Sequence, residues 1–362
     1  MNAMRRLVTA SCLSLALAPV AMSLAGPAMD DALTEKAKRA VDAGLHYLRG
    51  TQAEDGSWSK SVGVTALGLR AFLESPRGYS EADGAFITRP VQFLLAHVNE
   101  DGSISETNQN RSYNTAVALV ALQATKNPAY AETIKKAQKF LAGHMIDEGE
   151  GYDPSHKYYG GIGYGGDERP DLSNSYMAIE ALKATDYDPN DPVWKNALIF
   201  ISRSQNNSET NDQEFAGNDG GFAYMPGYSP HGEAVSYGGM TSAGLLSLLF
   251  AGVEKNDPRV QAAYGWIRAN YTLDTNPGAK ENAGLFYYYN AFSKAMAAYG
   301  EPEVTDSAGN AHNWRNDLAT KLIALQDKDG SWVNKESKRW WEGEPSLCTA
   351  WSVIALNLAL KK

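Results

Sequence analysis

Apolar residues recur at helical spacing in twelve separate stretches of the chain. In the first, residues 33–51, they stand three or four positions apart, at Ala37, Val41, Leu45 and Leu48, which is typical of an amphipathic α-helix. The stretches pair up, the first of each pair carrying Lys, Arg, Glu and Gln on one face and the second being richer in Ala, Leu, Ser and Gly. We predict helices over residues 33–51, 62–75, 90–98, 113–125, 130–145, 172–185, 193–204, 239–251, 259–271, 286–299, 314–325 and 346–360.

A glycine turn separates the two helices of each pair. Asp55-Gly56 and Asp329-Gly330 are turn dipeptides in which glycine adopts positive φ at little cost. Six helical hairpins then occupy nearly all of residues 30–362, which we predict to be a single domain. The predicted turn glycines are Gly56, Gly102, Gly161, Gly220, Gly284 and Gly330.

The difference between the two helices of each pair predicts two layers. An amphipathic helix covers a surface, whereas a helix that is apolar nearly all round is buried. The second helices should therefore form an inner layer and the first helices an outer one. Open solenoids need terminal repeats with a polar outer face, but here the first and last hairpins match the repeat best and have no extra helix. We therefore predict an all-α fold, a closed (α/α)6 toroid rather than an open solenoid.

Residues 1–25 are predicted to be a cleaved signal peptide. Arg5 and Arg6 precede an apolar run over residues 13–24, which is too short and too rich in Ala for a transmembrane helix. We expect an exported protein, periplasmic or secreted, that is not integral to a membrane. Removing this segment leaves 31 basic and 42 acidic residues, a net charge of −11. That balance argues against nucleic acid or anionic lipid as a partner.

Two turns share a pattern of Gln, three residues, Gly, one residue and Trp. They are Gln52, Gly56 and Trp58 near the start, and Gln326, Gly330 and Trp332 near the end. These units resemble the QW motifs of the squalene–hopene and oxidosqualene cyclases and the repeats of protein prenyltransferase β subunits. The resemblance implies the α/α toroid of that superfamily. We interpret the motif as structural, because a Gln amide can bond backbone groups at helix ends and a Trp can stack on the next unit.

The same resemblance identifies a segment where cyclase chemistry would take place. Squalene–hopene cyclases open an inner helix with Asp-x-Asp-Asp, whose middle Asp protonates the polyene. The counterpart here is Asp171-Leu172-Ser173-Asn174, with Ser173 in place of the proton donor. A serine hydroxyl is far too weak an acid to protonate an alkene, so proton-initiated cyclisation is not expected. Asp171 is the candidate catalytic residue, with helix capping as its alternative role.

The zinc site of the protein prenyltransferases has no counterpart in the sequence. By resemblance, that site uses Asp, Cys and His from the later repeats. Cys348 lies in the last helix, but no His follows His312. We predict no metal and no cofactor, and we expect Cys348 to pack as a small apolar residue. An Asn-rich and acidic stretch at residues 206–218 is interpreted as a solvated loop, with calcium binding as the alternative.

A ligand site is expected where the inner helices begin. All six turns should lie at one end of the ring, so the helix N-termini converge there and favour an anionic group such as a diphosphate or carboxylate. Long aromatic loops lead into the third, fourth and sixth inner helices, and loops on a rigid rim commonly carry function. The candidate ligand-binding residues are Tyr158, Tyr159, Tyr164, Asn174, Tyr224, His231, Tyr237, Trp340 and Trp341.

Three functional hypotheses follow. The first is a cavity that binds an apolar or isoprenoid small molecule. The second is an envelope enzyme acting on polysaccharide, a lyase or glycosidase, which needs two carboxylates facing each other across the cavity. The third is a non-enzymatic scaffold that binds another protein through its rim. Candidate carboxylates for the second are Asp167, Glu168, Asp171, Glu233, Glu342 and Glu344.

Overall fold

A computed structural model describes residues 29–165 and 169–361 and is mostly helical. The described residues form twelve α-helices, as the sequence predicts. The third begins at Ala85, before the predicted start at Pro90, and Pro90 lies inside it. The signal peptide and the candidates Asp167 and Glu168 lie outside the described residues. The helices are α1 (Asp31–Thr51), α2 (Val62–Leu73), α3 (Ala85–Ala96), α4 (Arg111–Ala124), α5 (Ala131–Ala142), α6 (Leu172–Ala184), α7 (Pro192–Arg203), α8 (Gly238–Phe250), α9 (Pro258–Ala269), α10 (Leu285–Tyr299), α11 (Trp314–Leu325) and α12 (Pro345–Leu360).

Short elements fill the connections between these helices. A two-stranded antiparallel hairpin, β1 (Val304–Thr305) and β2 (Ala311–His312), joins α10 to α11. Within the described ranges, no helix is both long enough and apolar enough to cross a bilayer. The remaining short elements are 3₁₀ helices at Glu81–Asp83, Pro128–Tyr130, Glu148–Glu150, Lys280–Asn282 and Arg339–Trp341.

The even-numbered helices form the inner layer. Eleven consecutive residues of α2, from Val62 to Phe72, are buried, whereas α5 buries only Ala137, Gln138, Phe140 and Leu141. The inner helices contact one another in the order α2, α4, α6, α8, α10 and α12, and α12 contacts α2 again. The first hairpin therefore packs against the last. Gln326 strengthens this contact, since its Nε2 donates to the Ala40 carbonyl of α1 at 2.9 Å.

The Gln and Trp of the repeated turn are structural, as predicted. Gln52 Nε2 donates to the Gly56 carbonyl of its own turn at 3.2 Å and to the Phe86 carbonyl of α3 at 3.1 Å. Trp58 is fully buried, and its Nε1 donates to the Leu48 carbonyl at 2.8 Å. The turn is thus tied both to the helix before it and to the next outer helix.

Two predicted turn glycines differ in the structure. In the third hairpin the left-handed residue is Gly160, with φ +84°, and not Gly161. A Cβ on Gly160 would overlap the Asn196 carbonyl of α7, so the close approach of the next outer helix selects the first glycine of the pair. Gly284 caps the start of α10, and a Cβ there would meet the Trp340 ring instead of an outer helix.

Part of the Asn-rich, acidic stretch at residues 206–218 is buried, and the stretch is bonded to the end of α7. Asn206, Asn207 and Asn211 are buried, and Asp212 pairs with Arg203 at 2.6 Å. Among the described residues, no group of three or more His, Cys, Asp or Glu side chains is arranged to hold a metal ion. Cys348 is buried in α12, as expected, and its Sγ donates to the Glu342 carbonyl at 3.3 Å.

Candidate functional site

A cavity of about 350 Å³ lies where the inner helices begin. All six inner helices contribute to its wall from their first two turns or their N-cap residues, which is where the sequence places the site. Loops that precede the inner helices complete the wall. The lining residues are Ser61, Val64, Asn110, Tyr113, Asn114, Tyr164, Ser173, Tyr224, Tyr237, Met240, Asn276, Gly284, Tyr287, Trp340, Trp341, Leu347 and Trp351.

The cavity wall is aromatic and uncharged. Eight of the lining residues are Tyr or Trp, and none of the described lining residues is Asp, Glu, Lys, Arg or His. Tyr164, Trp340 and Trp341 are also exposed, so they mark the opening to solvent. A concave, mostly apolar pocket of this size with a few polar groups is the usual form of a small-molecule site.

Five of the predicted ligand-binding residues line this cavity: Tyr164, Tyr224, Tyr237, Trp340 and Trp341. The other four lie behind the wall or beside it. Tyr158 contacts Met225 Sδ at 3.9 Å, and Tyr159 donates its hydroxyl hydrogen to Glu148 at 2.7 Å. Asn174 Nδ2 donates to Asp171 at 2.7 Å, and the His231 ring packs edge-on against the rings of Tyr237 and Trp340.

Sequence reasoning missed the residues that the inner helices themselves contribute. Tyr113 and Tyr287 are the third residues of α4 and α10, and Trp351 lies one turn further along α12. The signal that would have found them is positional, because the third residue of an inner helix lines the cavity in five of the six hairpins. In α6 the second residue, Ser173, takes this place. The five third residues are Val64, Tyr113, Met240, Tyr287 and Leu347.

Asp171 caps α6 and does not line the cavity. Its side chain accepts hydrogen bonds from the Asn174 backbone N–H at 2.8 Å and from Asn174 Nδ2 at 2.7 Å. Burial raises the pKa of Asp171 to about 6, although hydrogen bonds from Asn174 and Tyr224 lower it in part. Ser173, which does line the cavity, has its hydroxyl 3.0 Å from the Tyr287 hydroxyl.

The other candidate carboxylates that the structure describes are not paired across the cavity. Glu342 is fully buried and accepts the N–H groups of Leu285 at 2.9 Å and Tyr287 at 2.8 Å, so it caps α10. Burial raises the pKa of Glu342 to about 7. Glu344 caps α12 by accepting the Ser346 N–H at 3.2 Å, and Glu233 is exposed.

This architecture is similar to that of known proteins. No family model matches the chain. A stretch of 145 residues is 28% identical to the lanosterol synthase erg7A of Aspergillus fumigatus and covers 36% of this chain. The match spans about a fifth of that relative, 19% of its length.

Solved structures extend the likeness to most of the chain. The type II terpene cyclase MstE of Scytonema superposes with a TM-score of 0.55 at 13% identity, covering 90% of this chain and 98% of that one. The chain has a terpene cyclase-like fold. An α-1,6-mannanase of Salegentibacter, GH76A, superposes with a TM-score of 0.59 at 12% identity, covering 89% and 98% of the two chains. At these identities the superpositions concern the fold, which proteins of different chemistry share.

Proposed function

We propose that this chain is a closed (α/α)6 toroid that binds an apolar or isoprenoid small molecule in its central cavity. The observation that carries the proposal is the cavity wall, which has eight aromatic rings and no charged side chain among its described residues. Transfer of an apolar ligand from water to such a wall is favourable by about 25 cal/mol for each Å² of apolar surface buried. A polyisoprenoid chain offers the long apolar surface that fits this wall.

Two relatives support an isoprenoid ligand. Part of this chain is similar to a lanosterol synthase, and a variant of MstE has been solved with its substrate, geranylgeranyl dihydroxybenzoate. That MstE structure superposes on this chain with a TM-score of 0.52 at 14% identity, covering 91% of this chain and 97% of that one.

We do not propose that this chain carries out proton-initiated cyclisation. By the resemblance of residues 171–174 to the cyclase motif, Ser173 replaces the proton donor, and its hydroxyl lies beside that of Tyr287. Asp171 remains the candidate acid, but its carboxylate is engaged as a helix cap behind the wall.

The polysaccharide hypothesis lacks its chemical requirement among the described residues. None of Asp171, Glu233, Glu342 and Glu344 lines the cavity, so no facing pair exists there for general acid and base. The mannanase likeness concerns the fold. The scaffold hypothesis predicts a molecule without a concave site, whereas this one has an aromatic cavity.

The test is ligand binding to the purified protein. Tryptophan fluorescence and calorimetry with a panel of farnesyl compounds should show saturable binding, and α-1,6-mannotriose should show none. Trp340→Ala removes a wall residue and should weaken isoprenoid binding about tenfold, since aromatic anchors dominate such sites. Tyr228→Ala is the matched control, because Tyr228 is an exposed aromatic that does not line the cavity. Binding of mannotriose but of no isoprenoid would overturn the proposal.

We also propose that residues 1–25 direct export. The expected product in the envelope or secreted fraction begins after Ala25. N-terminal sequencing of the protein from that fraction checks this, and an intact Met1 would contradict it.

A further inference from the structure

The positive ends of three inner helices are already occupied by carboxylates. Asp171 caps α6, Glu342 caps α10 and Glu344 caps α12. A helix N-terminus attracts anions through its free N–H groups and partial positive charge. Here protein carboxylates accept those N–H groups, so an anionic ligand entering the cavity would meet negative charge. The anion preference expected from the converging helix ends is therefore offset.

The lining also lacks a cation that could neutralise a diphosphate. No Lys or Arg is among the described lining residues. Arg339 is exposed, and its guanidinium lies 4.8 Å from the centre of the Trp340 ring. Arg111 pairs with Asp101. Bidentate Arg or a Lys charge is the usual means of holding phosphate groups in proteins, and the described wall offers neither.

Tyrosine hydroxyls supply much of the polarity that remains. Tyr224 and Tyr237 precede α8, Tyr287 lies in the first turn of α10, and all three line the cavity. Burial raises the pKa of all three, and the nearby Asp171 carboxylate raises each further, so the three phenols stay neutral. The Tyr287 hydroxyl lies 3.0 Å from the Ser173 hydroxyl, which lines the same cavity. Neutral phenols both donate and accept hydrogen bonds.

Trp351 adds a buried donor to the cavity wall. Trp351 lines the cavity, and its Nε1 is buried without a hydrogen-bond partner among the described residues. An indole N–H can only donate, so it requires an acceptor atom. A pure hydrocarbon that displaced water would leave the Trp351 N–H unpaired, which is unfavourable for a buried donor.

We propose that the cavity takes an isoprenoid alcohol, in preference to a prenyl diphosphate or a hydrocarbon of the same chain. The inference rests on the proposed isoprenoid site and specifies its ligand. The aromatic wall holds the chain, and the hydroxyl bonds to a lining tyrosine or to Trp351 Nε1. A neutral hydroxyl is compatible with the acidic helix caps, and it can both accept a hydrogen bond from a tyrosine or Trp351 and donate one.

The experiment compares farnesol, farnesyl diphosphate and farnesene, which share one carbon chain and differ in the polar group. Dissociation constants for the purified protein are measured by calorimetry or by tryptophan fluorescence. We expect farnesol to bind at least about tenfold tighter than either of the others, because sites built to bond a hydroxyl reject analogues that lack it. Tyr237→Phe combined with Tyr287→Phe should remove most of the preference for farnesol over farnesene.

Tyr299→Phe is the matched control, because Tyr299 is a buried tyrosine of α10 that stacks on Tyr264 and does not line the cavity. Thermal unfolding checks that each variant folds, and Tyr237→Phe alone replaces the double variant if the latter does not. Equal binding of the three compounds, or tightest binding of the diphosphate, overturns this inference and leaves the isoprenoid site standing. An unchanged preference in the tyrosine variant also overturns it. Failure of all three compounds to bind overturns the proposed function as well.

Discussion

Asp171 and Glu342 are buried carboxyls that cap helices and have raised pKa values. Each accepts backbone N–H groups, which favours the ionised form, but burial prevails and raises the pKa to about 6 and about 7 respectively. In an unfolded chain both groups titrate near pH 4. Because the folded pKa is the higher one, the stability linked to each group is fully present below pH 4. It is lost as the pH rises through 6 and 7.

The first prediction concerns Asp171→Asn. Asparagine caps helices well and cannot ionise. The Asn174 amide can turn to receive it, since Asn174 Oδ1 has no partner among the described residues. Between pH 4.5 and 7.5 the wild type should lose more unfolding free energy than the variant, by on the order of 2 kcal/mol. Urea unfolding at the two pH values measures this.

The exposed Glu54 provides the control for that prediction. Glu54→Gln makes a carboxyl-to-amide change at the surface and is measured beside Asp171→Asn at the same two pH values. If Asp171→Asn and the wild type lose equal free energy over this range, the Asp171 carboxyl does not titrate as its burial implies.

At the scale of elements, the turn glutamines join one hairpin to the next. Gln52, Gln205 and Gln326 each donate from Nε2 to the glycine carbonyl of their own turn and to a carbonyl of the following outer helix. For Gln326 the following outer helix is α1, so the same hydrogen bonds join the last hairpin to the first.

The second prediction is that Gln326→Ala destabilises the protein by about 1–2 kcal/mol, because two buried carbonyls lose their donor. Gln52→Ala should cost a similar amount, since its two hydrogen bonds have the same geometry within a few tenths of an ångström. Gln92→Ala on the exposed face of α3 is the control and should be nearly neutral. Chemical unfolding gives the three values. A Gln326→Ala protein as stable as the control would show that the terminal hairpins do not depend on this bond.

The sequence predicts these elements well because their signals are local. Helical periodicity and the Gln-to-Trp spacing lie within one hairpin, so the helices, the two layers and the motif are readable. The Gly160–Gly161 register depends on the approach of α7, which a local pattern does not contain. The same limit applies to the site. Glu342 belongs to the last hairpin but caps α10 of the fifth, so the neutralisation of that helix end follows from the ring and not from either segment.

At the scale of the whole molecule, a buried ion network crosses the inner layer. Arg70 of α2, Glu180 of α6 and Lys294 of α10 lie on alternate inner helices and are nearly fully buried. Lys294 Nζ is 2.8 Å from Glu180 Oε1, and Arg70 Nη1 is 3.4 Å from the same oxygen. Burial alone would raise the pKa of Glu180, but the two cations lower it to about 2. The network therefore joins helices that are not neighbours around the ring.

The third prediction is that Glu180→Gln lowers the unfolding free energy by on the order of 3 kcal/mol, because it leaves buried cations without their shared anion. Arg70 would keep its ion pair with Glu74, at 2.7 Å, whereas Lys294 would lose the anion paired with it and keep the neutral Tyr176 hydroxyl at 3.1 Å. Glu35→Gln disrupts an exposed pair with Lys38 and should have a much smaller effect, because solvent screens exposed pairs. Urea unfolding at neutral pH measures both.

A second variant separates unpaired charge from lost packing. Adding Lys294→Met to Glu180→Gln removes the stranded ammonium and retains an unbranched chain of similar length. If the cost arises from an uncompensated buried charge, the double variant should recover part of the lost stability, as replaced buried ion pairs often do. If it arises from packing, the two losses should add.

The lowered pKa of Glu180 also sets the pH below which its contribution to the unfolding free energy is lost. That contribution should persist from neutral pH down to about pH 4 and disappear towards pH 2.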